Sequence, residues 1–479
     1  MGEPNTFKSA SLTFEPFFRL PIQREKDLPK ELENHMNVKA LLDVDMVAME
    51  ATDNLTLMLD LTAPANPKHA SRPGQAVQVV LDRSGSMNGQ PLEAAKGSLL
   101  KLIDRLAPQD SFGLVAFDDT ALVVVPTRTM ADHHMPSLRK SIREMHTGGS
   151  TDISAGYLMG LRELNRVQAT GGSTLLLISD GHANSGEQDP KFFAEVSTKS
   201  AADKVTTSTI GLGTGYDETI LEALAQGGGG AHRFAGTIDE AVGAIAAEVD
   251  DLLDKTIVNA VLRLTPTSAM TSAPAIEVLQ RLPYWKDGET YVVQLGDLYS
   301  GENRRFVINI EIPGIASLGL CKIADITVEY LDLAARQEIS VTMPVNVNVV
   351  PGDVAAGRIS DPIVRAERLI LEAQTAKSLA VDELRDGKIK EASGRLKGTA
   401  ANLRREASLI PVTDERSAES LAIIRAEADE IETLAETAEQ EDIQYSSKRM
   451  TESYSRKTRS RNVRNEPTDP SLNSDDYLN

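Results

Sequence analysis

The patterning of this 479-residue chain predicts a doubly wound α/β domain inserted in a β-sandwich and followed by C-terminal helices. Three observations carry that expectation. Between about residues 75 and 253, short continuous apolar runs alternate with segments whose apolar residues recur every three or four positions. Such runs suit strands buried on both faces, and their alternation with helices suits βαβ crossovers. On both sides of this block, the chain shows strand signals separated by turn residues. Beyond Asp361 the signals are helical to the neighbourhood of residue 440.

The elements follow in order. Val38–Pro64 alternates apolar and polar residues and predicts two strands around a turn near Thr52–Asn54. "QAVQVVLD" is a buried strand, and Leu92, Ala95, Leu99, Leu102 and Leu106 mark the helix after it. "FGLVAFD", "ALVVVP", "STLLLISD", "VTTSTIGLG" and "GAHRFAG" continue the strand series, with helices between them and a last helix to about Leu253. Residues 256–352 return to strands in "VNAVLRLTP", "TYVVQLGDLYSG", "RRFVINIEIPG" and "ADITVEYLD". Neither this block nor residues 1–72 is large alone, so the two are expected to form one discontinuous sandwich around the α/β domain of residues 73–255. Two separate small sheets would give the same pattern. Residues 356–440 predict a helical hairpin or bundle with a longer helix carrying Leu421, Ile424, Ala428, Ile431 and Ala435. Residues 441–479, rich in Ser, Arg and Lys and then acidic, are expected to be a disordered tail.

Composition narrows the function. A formal charge of −20 repels nucleic-acid phosphates and anionic lipid, and attracts cations or basic partners. The single cysteine, Cys321, leaves no intramolecular disulfide and no cysteine-rich zinc site. No apolar run reaches the length of a membrane span, and the first residues lack a basic region followed by an apolar one. A cytoplasmic protein binding neither nucleic acid nor membrane is the expectation.

In an open α/β sheet, ligands bind beyond the carboxyl ends of the strands. Asp82, followed by Ser84 and Ser86, lies at such an end in "VVLDRSGSM", Thr151 lies in the loop "GGSTDI", and Asp180 closes "LLLISD". The donors are all oxygen. Hard cations such as Mg²⁺ take oxygen ligands, with Mn²⁺ or Ca²⁺ as further candidates. Neutral hydroxyls as ligands leave positive charge on the ion, and carboxylates one water away balance it, so an open position then attracts an external carboxylate. The bland alternative makes the serines turn formers and Asp180 a helix cap.

"DRSGSM", "GGSTDI" and "ISDG" resemble the three metal loops of the von Willebrand factor type A domain and its metal-ion-dependent adhesion site. The resemblance covers about residues 75–253 and implies the Rossmann-like fold of that family. It implies Ser84, Ser86 and Thr151 as direct or near-direct ligands, and Asp82 and Asp180 acting mostly through water. The flanks resemble proteins that embed this domain in a β-sandwich, including the inter-alpha-inhibitor heavy chains and uncharacterised bacterial cytosolic proteins. A plant class sharing the plan carries RING fingers, whose cysteines are missing here.

The leading expectation is a non-enzymatic scaffold that captures an Asp or Glu of a protein partner on a divalent cation. One alternative is a metal-dependent phosphoesterase with His182 as base. Against it, the chain has no Walker loop, and "GLGTG" at 211–215 lacks the residues of a phosphate loop. The other alternative is an assembly protein organised by its C-terminal helices.

Overall fold

The computed structural model describes residues 10–13, 35–65, 73–167, 172–268, 275–280, 282–410, 412, 415–440 and 443–458. Within the inserted domain six strands form one sheet in the spatial order Gly229–Ala235, Val205–Leu212, Ser173–Ser179, Ala76–Asp82, Ser111–Phe117 and Ala121–Thr129. All neighbouring pairs are parallel except the last, which closes the edge with an antiparallel hairpin.

Every residue of Ala76–Asp82 is buried, because the two faces of the strand feed two separate cores. Val77, Val79 and Leu81 pack with Leu92, Leu99 and Leu102 of the helix Gln90–Arg105. Ala76 and Val80 pack on the other face with Ile153, Tyr157, Phe193 and Leu221. The chain runs from Ala76–Asp82 outward to Ser111–Phe117, then returns to Ser173–Ser179 on the opposite side. The switch point thus falls where Asp82 and Asp180 emerge, the place such sheets offer to ligands.

The flanking strands form a sandwich of a seven-stranded and a four-stranded sheet. Asp53–Thr62 pairs antiparallel with Asn303–Ile312 from Thr62↔Asn303 to Asp53↔Ile312, joining chain segments on opposite sides of the insertion. Leu55, Leu57, Leu59 and Leu61 point from this strand into a core shared with Leu262, Leu264, Ile326 and Val328 of the facing sheet. The N-terminal part differs from the two-strand expectation. A strand Asn37–Leu42 ends at Asp43, whose Oδ1 accepts the N–H groups of Val44 at 2.9 Å and Thr56 at 2.8 Å. Met46–Ala48 then crosses to the other sheet and pairs with Asn348–Val350. The long strand Gln337–Val350 is a further element beyond those expected; Pro344 interrupts its otherwise alternating run.

A buried ion pair of the seven-stranded sheet, Lys255 with Asp297, reaches the inserted domain through Thr174. Lys255 Nζ donates to Asp297 Oδ2 at 2.6 Å and to Thr174 Oγ1 at 2.8 Å, and Asn259 N–H donates to Asp297 Oδ1 at 2.9 Å. Burial opposes the Asp297 carboxylate, but Lys255 and the hydroxyl and amide donors outweigh it and hold its pKa below the ordinary value.

Helices Pro362–Arg385, Ile389–Leu409 and Glu415–Gln440 pack around one apolar core. Asp361 caps the first through Ile363 N–H at 2.9 Å and Val364 N–H at 3.2 Å. One correction concerns the expected disordered tail at 441–479: Ile443–Thr458 is a helix. Met450 and Tyr454 are buried, and the hydroxyls of Ser447, Thr451 and Ser453 find carboxylate partners inside the fold. Polar composition there reflects buried pairing and not solvation. The rest of that expected tail, residues 441–442 and 459–479, lies outside the described residues. No helix among the described residues is long and apolar enough to cross a membrane.

Candidate metal centre

Three loops meet at the switch point, and short backbone links hold them in register. The Arg83 carbonyl accepts Gly148 N–H at 2.6 Å, Gly85 N–H donates to the Gly149 carbonyl at 3.0 Å, and Asp152 N–H donates to the Asp118 carbonyl at 2.7 Å. Arg83 pairs with Asp118 at 2.7 Å. Gly148 is required for that approach: a Cβ there would sit 1.8 Å from Asp118 Oδ2.

Asp82 is fully buried. Its Oδ1 accepts Ser84 N–H at 2.7 Å and its Oδ2 accepts the Ser179 hydroxyl at 2.5 Å. These two bonds turn the chain after the strand so that Ser84 and Ser86 face the same way, with 3.0 Å between their Oγ atoms. Ser86 Oγ donates to Asp180 Oδ1 at 2.6 Å. Thr151 is held by Asn184, whose Oδ1 accepts Thr151 N–H at 2.8 Å and whose own N–H donates to the Thr151 carbonyl at 3.1 Å. Thr151 Oγ1 has no hydrogen bond among the described residues.

Gly181 is the floor of the cluster. A Cβ built on it would lie 2.9 Å from Thr151 Oγ1, 3.3 Å from Ser86 Oγ and 3.5 Å from Ser84 Oγ. Three hydroxyls on two loops therefore surround one small volume, and only glycine leaves it open. All five residues singled out from sequence, Asp82, Ser84, Ser86, Thr151 and Asp180, are brought together here. Ser179, Asp118 and Asn184 were not anticipated. Asp118 closes a strand just as Asp82 does, which was a usable signal, whereas Ser179 and Asn184 are defined only by distance in space.

Burial raises the Asp180 carboxyl to about 6; the Ser86 donor opposes the shift and the neighbouring Asp82 adds to it. Burial likewise raises Asp82, against the donors from Ser179 and Ser84. Two acidic groups sharing such a place create a demand for positive charge that the side chains themselves do not meet. Among the described residues no three of His, Cys, Asp and Glu are grouped to hold a metal, so hydroxyls must complete any donor set here. That set fits a hard divalent cation. The 3.0 Å between the serine oxygens matches the edge of an octahedron with bonds of 2.0–2.1 Å, about 2.9 Å. His182 is turned to solvent, 3.9 Å from Asp217. "GLGTG" runs from the end of strand Val205–Leu212 into the following loop, and a Cβ on Gly211 would lie 2.3 Å from the Tyr216 ring.

The fold and these loops define a class, and comparison with known proteins agrees. Residues 77–247 match the family model of the von Willebrand factor type A domain, and the chain carries such a domain. An uncharacterised protein of Synechocystis sp. is 27% identical over 317 residues, 64% of this chain and 74% of that protein. YfbK of Escherichia coli is 27% identical over 200 residues, 41% of this chain and 34% of YfbK. Human inter-alpha-trypsin inhibitor heavy chain H4 is 27% identical over 164 residues, 33% of this chain but only 18% of that protein. Two solved structures share the fold across most of the molecule, each at 15% identity. The ArnB paralog VWA2 of Sulfolobus acidocaldarius has a TM-score of 0.59, covering 82% of this chain and 98% of that one. A von Willebrand factor type A protein of Catenulispora acidiphila has a TM-score of 0.64, covering 85% and 98%.

Proposed function

We propose that the chain is a non-enzymatic, metal-dependent protein-binding scaffold whose switch-point loops form a metal-ion-dependent adhesion site. The observation that carries this reading is the convergence of Ser84, Ser86 and Thr151 hydroxyls on the space above Gly181, with Asp82 and Asp180 behind them. Ser84, Ser86 and Thr151 would hold the cation, Mg²⁺ in the first instance, and the two carboxylates would balance its charge. When bound, the cation supplies an electrophilic position for one acidic oxygen of a partner. Neutral hydroxyl ligands keep that position attractive to a carboxylate, because less of the ionic charge is cancelled within the site. Ser86 is exposed while Ser84 and Thr151 are buried, so the cluster opens to solvent on one side only. The protein would act where an α/β domain of this family meets an Asp or Glu of another protein, in a cytoplasmic setting.

The test is calorimetry of Mg²⁺ and Mn²⁺ binding to the full chain, with a pull-down in Mg²⁺ and in EDTA beside it. Asp82→Ala and Thr151→Ala are expected to lose cation uptake and partner capture with the far-UV circular dichroism unchanged. Capture that is equal in Mg²⁺ and EDTA removes the proposal.

A further inference from the structure

The loop after strand Val205–Leu212 stands between the metal-site loop and the C-terminal helix Ile443–Thr458. Toward the site, Asp217 N–H donates to the Gly181 carbonyl at 3.2 Å. Gly215 lies so near that a Cβ on it would be 3.1 Å from the Asp180 carbonyl. Toward the helix, Lys448 Nζ donates to the Tyr216 carbonyl at 2.8 Å and stands 3.8 Å from the centre of the Tyr216 ring. Glu218, the next residue but one after Tyr216, accepts the Ser447 and Thr451 hydroxyls and pairs with Arg385 at 3.1 Å. Tyr445 packs edge-on against Phe234 with 5.8 Å between ring centres.

Lys448 is 4% exposed. A buried ammonium is costly unless it finds acceptors, and here a carbonyl and an aromatic face supply them. Both belong to Tyr216, whose neighbour Asp217 grips Gly181. Gly181 in turn is the floor on which the three hydroxyls converge, so its placement bounds the space they share. The same helix is tied to the rest of the bundle: Lys377 Nζ donates to Ser453 Oγ at 3.0 Å and meets Glu427 at 2.7 Å. A cavity of about 240 Å³, lined in part by Glu222, Gln226, Arg385 and Tyr454, runs along this junction. The helix is therefore seated by polar anchors together with the buried Met450 and Tyr454, with a gap along one side of the junction.

We propose that Lys448 is a positioning residue for the metal site: docking of the helix Ile443–Thr458 holds Tyr216–Asp217 against Gly181 and thereby raises the site's affinity for a divalent cation. By linkage, cation binding tightens the docking of the helix to the same degree. This rests on the metal reading of the site given above and adds to it the control of that site by the C-terminal helices.

The experiment is calorimetry with MgCl₂ and MnCl₂ on the full chain and its variants, joined to hydrogen exchange of residues 443–458 with and without Mg²⁺. Lys448→Met is expected to weaken cation binding about tenfold, within the range of ordinary site coupling. Lys448→Arg is expected to recover most of the affinity. In the wild type, Mg²⁺ is expected to slow exchange across 443–458. Tyr445→Ala, which loosens the same docking from another point, guards against a folding defect in Lys448→Met and is expected to weaken binding in the same direction. Cation affinities within twofold of wild type in both variants, or exchange in 443–458 that ignores Mg²⁺, overturn the coupling while leaving the metal site standing. No cation uptake by the wild type, with Asp82→Ala indistinguishable from it, overturns the site itself and the coupling with it.

Discussion

Gly181 shows how little a single residue needs to contribute in order to matter. Its value lies in the side chain it lacks, since a methyl group there would occupy the space among Thr151, Ser86 and Ser84. Gly181→Ala is therefore expected to abolish Mg²⁺ uptake in calorimetry, with a stability change of at most about 1 kcal/mol by denaturant titration, because the mouth is open on one side. Gly148→Ala differs in kind. Its Cβ would collide with the Asp118 carboxylate that holds Arg83. A loss of about 1–3 kcal/mol in urea unfolding is expected, with weakened cation binding as a secondary effect.

At the scale of the element, the helix Ile153–Leu164 carries Thr151 and Asp152 at its entrance. Asp152 caps it through Ala155 N–H at 2.9 Å. Gly156 and Gly160, one turn apart, let the helix lie close on the sheet; added Cβ atoms would be 2.6 Å from the Phe117 ring and 2.5 Å from Val80. Gly160→Val is expected to cost about 1–3 kcal/mol by overpacking and, on the proposed metal reading, to lower cation affinity as well, since the helix start carries Thr151. Calorimetry beside chemical denaturation separates the two effects. Between the sandwich and the bundle, Arg358 forms a two-pronged pair with Asp53, one prong being 2.7 Å between Nη2 and Oδ1. The Arg358 hydrogen bonds hold the Asp53 carboxyl below its ordinary 3.8. A carboxylate whose pKa is depressed on folding contributes stability at pH values above the unfolded value, and that contribution fades as pH falls through the folded one. Arg358→Ala is thus expected to cost about 1–2 kcal/mol at pH 7. It is also expected to flatten the loss of stability below pH 3.8, read from urea midpoints across pH 2–7.

Across the whole molecule, three apolar assemblies are joined by few but specific contacts. Met58 and Val307 of the sandwich are covered by Val364 and Leu371 of the first bundle helix. A chain shortened to residue 355 would bare Met58 and Val307, and is expected to be less stable by about 2–5 kcal/mol and to self-associate in light scattering. Thr174, bound by Lys255 of the sandwich, sets the inserted domain against it, and the contacts of Ser447 with Glu218 and of Lys448 with Tyr216 set it against the helices. The module that bears the candidate metal site is thus anchored at both ends of its sheet.

The central domain and its cluster of oxygen-bearing side chains were legible in the chain itself for a physical reason. Buried strands, amphipathic helices and the D-x-S-x-S spacing are local patterns, and a loop of five residues can turn two hydroxyls to one side without help from afar. Long-range pairing was harder to see. Strand Met46–Ala48 changed sheets because Asp43 ended its predecessor, and Ser179 and Asn184 became part of the site only because folding brought them beside Asp82 and Thr151. The helix Ile443–Thr458 is the sharpest case: its composition is that of a solvated tail, and the acceptors at Glu218, Glu430 and Tyr216 help make it a docked element. Local propensity decided what each segment is; burial against distant partners decided where polar groups could be tolerated, and so which of them reach the site.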